Sequence, residues 1–384
     1  MYELTQEQIE FKKHVRDFVN KEIRPNAQRL DMSAKFPYQI IKRCGELGFL
    51  DFLFSPQNLH SHVETTRSII FLEEISRGLG SLGLILCPHF QGITLLSMTA
   101  SDSLKAEALP QALTGEKIFS YAISEESGGT DALGIATTAV RDGDAWVING
   151  KKCWITNAGA ADGYFINAQT ASTSRRRSIS FFYIDGNNPG IILREPSKMI
   201  GCNNSVMRNI QFKDCRIPAN CLIGIENEGY SLMKNTLNLG RLGIAAVSTG
   251  IAQRALELAI EFSGNRKYYG RRLSSNQGIS FPIAEMYTHV ASLKNMLYHT
   301  ASLCENGKAY SVEVSALKVL ANEVCSQVCR QAQEIHGAFG LCKDSEIERC
   351  LRDSYMMTAA EGTPQACKMS IASALFNSPL DQYF

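Results

Sequence analysis

The chain has 384 residues, 45% of them hydrophobic and 20% charged. That is long enough for two or three domains and apolar enough to bury a sizeable core, which excludes disorder. Lys plus Arg number 39 against 38 Asp plus Glu, a net charge of +1, so nucleic acid is not expected as the main partner, because phosphate binding needs a clustered basic face.

The first 117 residues read as an N-terminal helical domain. Thr5 is placed to cap a helix in which Ile9, Phe11, Val15, Phe18, Val19 and Ile23 recur at helical spacing before Pro25. Phe36 and Pro37 open another, with Ile40, Ile41, Cys44 and Leu47 on one face, and the pattern continues over 64–78 and 89–113, interrupted by Gly and Pro. The most apolar runs, near 68–72 and 82–87, are far shorter than a membrane span, so no membrane is expected.

Between 118 and 223 the period shortens towards two, over 137–141, 145–148, 164–168, 179–184 and 209–212. Turn sequences such as Asp142-Gly143, Asn149-Gly150 and Asp185-Gly186 punctuate these runs. Many short strands at regular intervals predict a compact central β domain. From 224 to 384 the long period returns, over 245–262, 283–303 and 312–332, as expected of a C-terminal four-helix-bundle domain. The order is α, then β, then α, an α+β chain.

The twelve cysteines include no C-x-x-C, and Cys325 and Cys329 have no second pair or histidine at zinc spacing. No metal is expected, and most cysteines read as small buried hydrophobes in a reducing compartment. The first ten residues have neither the apolar run of a signal peptide nor the Arg-rich look of a transit peptide. A cytoplasmic chain is the expectation.

Four segments carry chemistry. Tyr121-Ala-Ile-Ser-Glu-Glu-Ser-Gly-Gly-Thr-Asp131 runs from a predicted strand into a Ser/Gly-rich loop whose N–H groups can approach a ligand closely. Trp154-Ile-Thr-Asn157 follows the turn at Asn149-Gly150; on its own it is a Trp in a β core. Arg266-Lys-Tyr-Tyr-Gly270 follows a long helix. Glu361-Gly-Thr363 sits at a break after a helix carrying Arg352-Asp353 and an apolar Tyr355-Met356-Met357 run, where loops often present functional groups.

In this order and spacing, over more than two hundred residues, the four segments resemble the acyl-CoA dehydrogenases. The resemblance runs from the helix of Gln6 and Gln8 to Ala374. It implies tightly but non-covalently bound FAD, with Tyr121, Ile123 and Ser124 along the flavin. Thr130, where Ser is usual, would lie near pyrophosphate and substrate. Trp154, Ile155 and Thr156 would pack on the flavin face, with Thr156 towards N5. Arg266 and Gln277 would reach a flavin held mainly by the neighbouring subunit, which implies a homodimer or homotetramer. The run Glu334-Ile-His-Gly-Ala338 matches the family's Gln-x-x-Gly-Gly loop in part, which adds Glu334, His336 and Gly337 to the flavin contacts.

The resemblance makes Glu361 the catalytic base, with Gly362 against the thioester and Thr363 and Gln365 touching the flavin. Some relatives carry the base on the helix after Leu237, before a conserved Arg; here that residue is Gly240, before Arg241. Asn238 and Arg241, at i and i+3, would lie beside the pantetheine and adenosine of the thiol carrier. The implied reaction is α,β-dehydrogenation of an acyl-CoA: Glu361 takes the α-proton and the β-hydride leaves to flavin N5. An electron-transfer flavoprotein or another acceptor would reoxidise the flavin, and the base of the acyl pocket is expected around 84–94.

Departures from the family keep an alternative open, the same chemistry (or enoyl reduction) on an acyl carrier protein. They are Glu126-Ser127 in the flavin loop, Asn238 where Asp is common, and the stretch from Ser55 to Ser61; Tyr268, for the usual Thr or Ala, departs at a flavin contact. Arg175-Arg176-Arg177 is either a solvated loop or a contact for coenzyme A phosphate or an acidic carrier. A non-catalytic flavoprotein of this fold is the reading from a different class; intact Glu361 speaks against it.

Overall fold

The structure, a computed structural model, describes residues 3–51, 64–131, 134–171 and 178–377. The stretch from Ser55 to Ser61 and the Arg175 to Arg177 run lie outside them. The helical part comprises α1 (Gln6–Phe18), α2 (Ala27–Ser33), α3 (Tyr38–Glu46), α4 (Thr65–Gly78), α5 (Gly80–Thr99) and α6 (Asp102–Leu113). Thr5 caps α1 in a reciprocal box: its hydroxyl accepts the Gln8 N–H, and the Gln8 side chain accepts the Thr5 N–H. The apolar stripe of α1 buries Phe11, Val15 and Phe18.

Helix α5 corrects two sequence expectations. It begins at Gly80 and passes through Pro88, rather than opening near 89. Proline removes one N–H from the helical ladder, the one that would reach the Leu84 carbonyl; the neighbouring carbonyl, of Ile85, accepts the side-chain amide of Asn157 (2.9 Å). It is also, among the described residues, the one helix long and apolar enough to cross a membrane, yet 89% of that stretch is buried inside the protein. A polar His89 and Gln91 inside the run had divided it into pieces that looked short.

The β part holds β1 (Phe119–Ala122), β2 (Thr138–Asp142), β3 (Ala145–Thr156), β4 (Gly163–Gln169), β5 (Ile179–Asp185), β6 (Ile191–Leu193), β7 (Met207–Pro218) and β8 (Leu222–Ile223). The sheet runs β6-β7-β3-β2-β4-β5-β8, with β1 parallel to β4. Its strand period of two divides the side chains between two cores. Tyr121, Phe165, Phe181 and Tyr183 join the large cluster shared with the helices, while Ala122, Tyr164, Ile166, Phe182 and Ile184 pack with Trp146, Ile148 and Phe212. Strand β7 is much longer than the 209–212 pattern suggested, because polar residues alternate along its exposed face.

The C-terminal part consists of α7 (Gly229–Asn265), α8 (Gln277–Glu305), α9 (Ser311–His336), α10 (Glu346–Ala359) and α11 (Pro364–Asn377). Helix α7 meets the backbone of α4 at Gly250, where a Cβ would overlap the carbonyl oxygen of Glu73. The Glu73 carboxylate nearby is buried and accepts from Lys12 (2.9 Å), Lys294 (2.7 Å) and Tyr298, tying α1, α4 and α8 together. All twelve cysteines are unpaired and nine are buried.

The Gly250 approach sets a stability test. Gly250→Ala must separate α4 from α7 and should destabilise the fold by about 1–3 kcal/mol, the usual cost of overpacking. Urea denaturation should show a lower midpoint at unchanged slope.

Candidate active site

Glu361 lies in the four-residue break between α10 and α11, with φ of 56°, and Gly362 follows at 98°. The left-handed pair turns the chain so that the Glu361 carboxylate meets α5 and α7. Its Oε2 accepts the amide of Gln91 (3.1 Å), and the same amide nitrogen donates to the Thr236 carbonyl (3.1 Å). Gly240 leaves the space: a Cβ there would overlap both the carboxylate and the Gln91 amide.

Burial raises the Glu361 pKa to about 7, against smaller lowering effects of the Gln91 hydrogen bond, Arg241 and Lys318. Neither cation bonds the carboxylate. Arg241 donates to the main-chain carbonyl of Glu361 (3.4 Å) and to Ser315 (3.1 Å). Lys318 is buried and donates to the Met357 carbonyl (2.8 Å) and Asn322 (3.0 Å), bracing the last turn of α10; burial brings its pKa down to about 8. Asn238 is buried, its amide donating to Ser311 (2.9 Å).

A narrow apolar cleft opens beside this pair, between α4, α5 and α7. Its walls include Leu72, Cys87, Phe90, Gln91, Thr94 and Leu242. The expected pocket region, 84–94, thus supplies part of the wall.

Tyr121, on β1, is buried with its ring stacked on Phe181 at 6.0 Å. Burial, then the nearby Glu361 charge, hold its hydroxyl well above the usual tyrosine pKa. Ile123 and Ser124 are half-buried, and the Ser124 carbonyl accepts the Cys153 N–H (2.9 Å). The loop beyond is anchored by Glu125, which accepts the N–H groups of Ala136 (2.6 Å) and Thr137 (3.2 Å) and pairs with buried Lys152 (2.7 Å). Lys152 also donates to Asn167 (2.6 Å). Thr130 is exposed at the tip, and a Cβ at Gly129 would meet open space.

Trp154 is not a core tryptophan. A register shift between β3 and β7 puts it at φ of 58° with 60% of its surface exposed, while Ile155 beside it is buried. Thr156 is half-buried, and its carbonyl accepts the Ser120 hydroxyl (2.6 Å). Asn157 ties this strand end to both α5 and β1 through the carbonyls of Ile85 and Phe119.

The remaining predicted residues form a second group, at one end of the bundle. Arg266 caps the C-terminus of α7 and lies over Phe339, at 5.8 Å. Phe262 stacks on His336 at 4.4 Å, Gly337 follows at φ of 60°, and Gln277 opens α8. Glu334 is exposed and paired with Arg330 (2.6 Å). Arg266 has no carboxylate partner among the described residues. Thr363 accepts the Ala366 N–H (3.3 Å) at the start of α11, and Gln365 is exposed.

Four contributors escaped the sequence reading. Gln91 and Lys318 were visible only as lone polar residues in apolar helical runs, a weak signal. Glu125 and Lys152 had no signal linking them, being 27 positions apart.

The family model for the acyl-CoA dehydrogenase N-terminal domain matches residues 5–116, the middle-domain model 120–215 and the C-terminal-domain model 227–376. An acyl-CoA dehydrogenase of Bacillus subtilis is 33% identical over 97% of this chain and 98% of its own length. The CarC subunit of the caffeyl-CoA reductase-Etf complex of Acetobacterium woodii is 33% identical over 95% of this chain and 97% of its own. The solved butyryl-CoA dehydrogenase of Megasphaera elsdenii superposes with a TM-score of 0.93 at 27% identity, covering 98% of this chain and all of that one. Three ordered domains, a glutamate in the break before the last helix and full-length relatives agree: this chain belongs to the acyl-CoA dehydrogenase family.

Proposed function

We propose that the chain dehydrogenates an acyl-CoA thioester between Cα and Cβ, with Glu361 as the base. The observation that carries this is the Glu361 carboxylate set at the edge of an apolar cleft, hydrogen-bonded by one amide and by neither neighbouring cation. A thioester Cα–H is a very weak acid, so a useful base must be strong at working pH and kept from water. Desolvation supplies both: it raises the pKa towards 7 and leaves the carboxylate poorly stabilised until it takes a proton. The backbone N–H of Glu361 is the protein's donor for the thioester oxygen as negative charge develops there.

The residues present fit FAD. Trp154 offers an exposed aromatic face at the end of β3, the 125–131 loop is open above Gly129, and Arg266 has a guanidinium that meets no carboxylate among the described residues. Tyr121, Ile123, Ser124, Thr130, Ile155, Thr156, Thr363 and Gln365 would complete one wall. When bound, FAD supplies the acceptor for the hydride leaving Cβ. Arg241, braced on α9, is placed to meet the thiol carrier, and the cleft walls exclude water from the acyl chain. Homology to coenzyme A enzymes over the whole length favours free acyl-CoA over a carrier-bound acyl group. An electron-transfer flavoprotein is the proposed redox partner.

Glu361→Gln keeps shape and hydrogen bonding but removes the base. It should retain FAD and bind substrate, while anaerobic flavin bleaching by butyryl-CoA slows by about 10²–10⁴-fold or more. Bleaching at the wild-type rate would remove Glu361 from the role.

The pH dependence follows from the sign of the shift. Protonated Glu361 cannot accept the α-proton, so kcat should rise with pH through a midpoint near 7. A midpoint near 4.5, the ordinary carboxylate value, would contradict a desolvated base.

The second group of predicted flavin contacts lies at the far end of α7 from Arg241, which supports a site completed by a second copy. A homodimer or homotetramer is proposed, in a reducing cytoplasmic compartment that suits twelve unpaired cysteines. Sedimentation should find no monomer in the flavin-loaded protein.

A further inference from the structure

We propose that Gln91 is the positioning residue for Glu361, its amide holding the carboxylate against α7 at the neck of the acyl cleft. The inference rests on the reading of Glu361 as the base. Gln91 is 2% exposed on α5, among apolar neighbours. A buried amide is costly unless its hydrogens are used. Both of its bonds run from the nitrogen, to Glu361 Oε2 and to the Thr236 carbonyl, at 3.1 Å each. Two acceptors on one side fix which way the amide faces, because the reversed group would set oxygen against oxygen.

No other group does this work for the carboxylate. Among the described residues Gln91 is its one hydrogen-bond donor. Every other titratable or charged group facing it is accounted for. On α7, Arg241 reaches the main-chain carbonyl of Glu361 and Ser315. On α9, Lys318 is bound to Met357 and Asn322. Cys87 on α5 and Tyr121 on β1 are weak acids that burial keeps protonated. The backbone at Glu361 is left-handed and follows the end of α10, so it offers the side chain no helical neighbours to pack against. Gln91 therefore has two effects. It selects one carboxylate orientation, and it favours the ionised base.

The two effects separate in a pH profile. Gln91→Met keeps an unbranched side chain of similar length and removes the donor. In the FAD-loaded enzyme, the acid limb of kcat should move up by about one pH unit, the order of one hydrogen bond to a charge. At pH 6 that is roughly a tenfold loss of kcat, shrinking to about twofold or less at pH 9, with KM changed by less than about threefold. The carboxyl infrared band that Glu361→Gln removes should titrate with the same shift.

Should the Met variant fail to load FAD, Gln91→Glu is the near-isosteric second test. Its carboxyl must share a proton with Glu361, so the acid limb should move up further. An unshifted limb in the variants that load FAD, or a loss equal at every pH, overturns the proposal. The base reading fails separately: if Glu361→Gln stays active, Glu361 is not the base, whereas an inactive Glu361→Gln beside an unshifted Gln91→Met removes Gln91 alone.

Discussion

A carboxylate drawn largely out of water and denied an ion pair is the constraint on which the arrangement depends. A salt bridge would have been the simplest way to bury Glu361, but a bonded guanidinium would pull its pKa down by one to three units and leave a weak base. The fold instead places two cations close and gives each other partners. Arg241 is tied to Ser315 and the Glu361 main chain, Lys318 to Met357 and Asn322. Their fields moderate the cost of burial without removing the basicity. This needs helices from both helical domains and a strand of the sheet, with Gln91 on α5, Arg241 on α7, Lys318 on α9 and Tyr121 on β1.

The proposed flavin wall is organised by a different balance. Lys152 is fully buried, which is tolerable because its ammonium meets Glu125 and Asn167. Glu125 also closes the loop by accepting the N–H groups of Ala136 and Thr137, so a polar cluster inside the sheet fixes a loop on its surface. One bulge away, the same strand turns Trp154 outward. Rigid support lies beneath an open shelf.

The three-part architecture was legible because it is written in periodicity: the strand period between 118 and 223 stands out against long apolar stripes on both sides. Glu361 was legible because it occupies a break with Gly and Thr behind it. What the sequence hid has physical causes. Pro88 looked like an end, although a helix held on all sides by packing can pass a proline at the loss of one N–H. Trp154 read by itself as core, since a register shift between two strands leaves no trace in composition. Gln91 bonds a residue 270 positions away, and nothing in an apolar helix says where one amide points. The separation of Arg266, His336 and Gly337 from the Glu361 cleft is a matter of which end of a 37-residue helix they adjoin.

Gly240 has a consequence for how such a chain can diverge. The volume its side chain would fill is already held by the Glu361 carboxylate and the Gln91 amide. A base carried on α7 and a base carried in the loop would therefore compete for one space. A side chain added at 240 would push the Glu361 carboxylate and the Gln91 amide aside together, and so disturb the hydrogen bond between them.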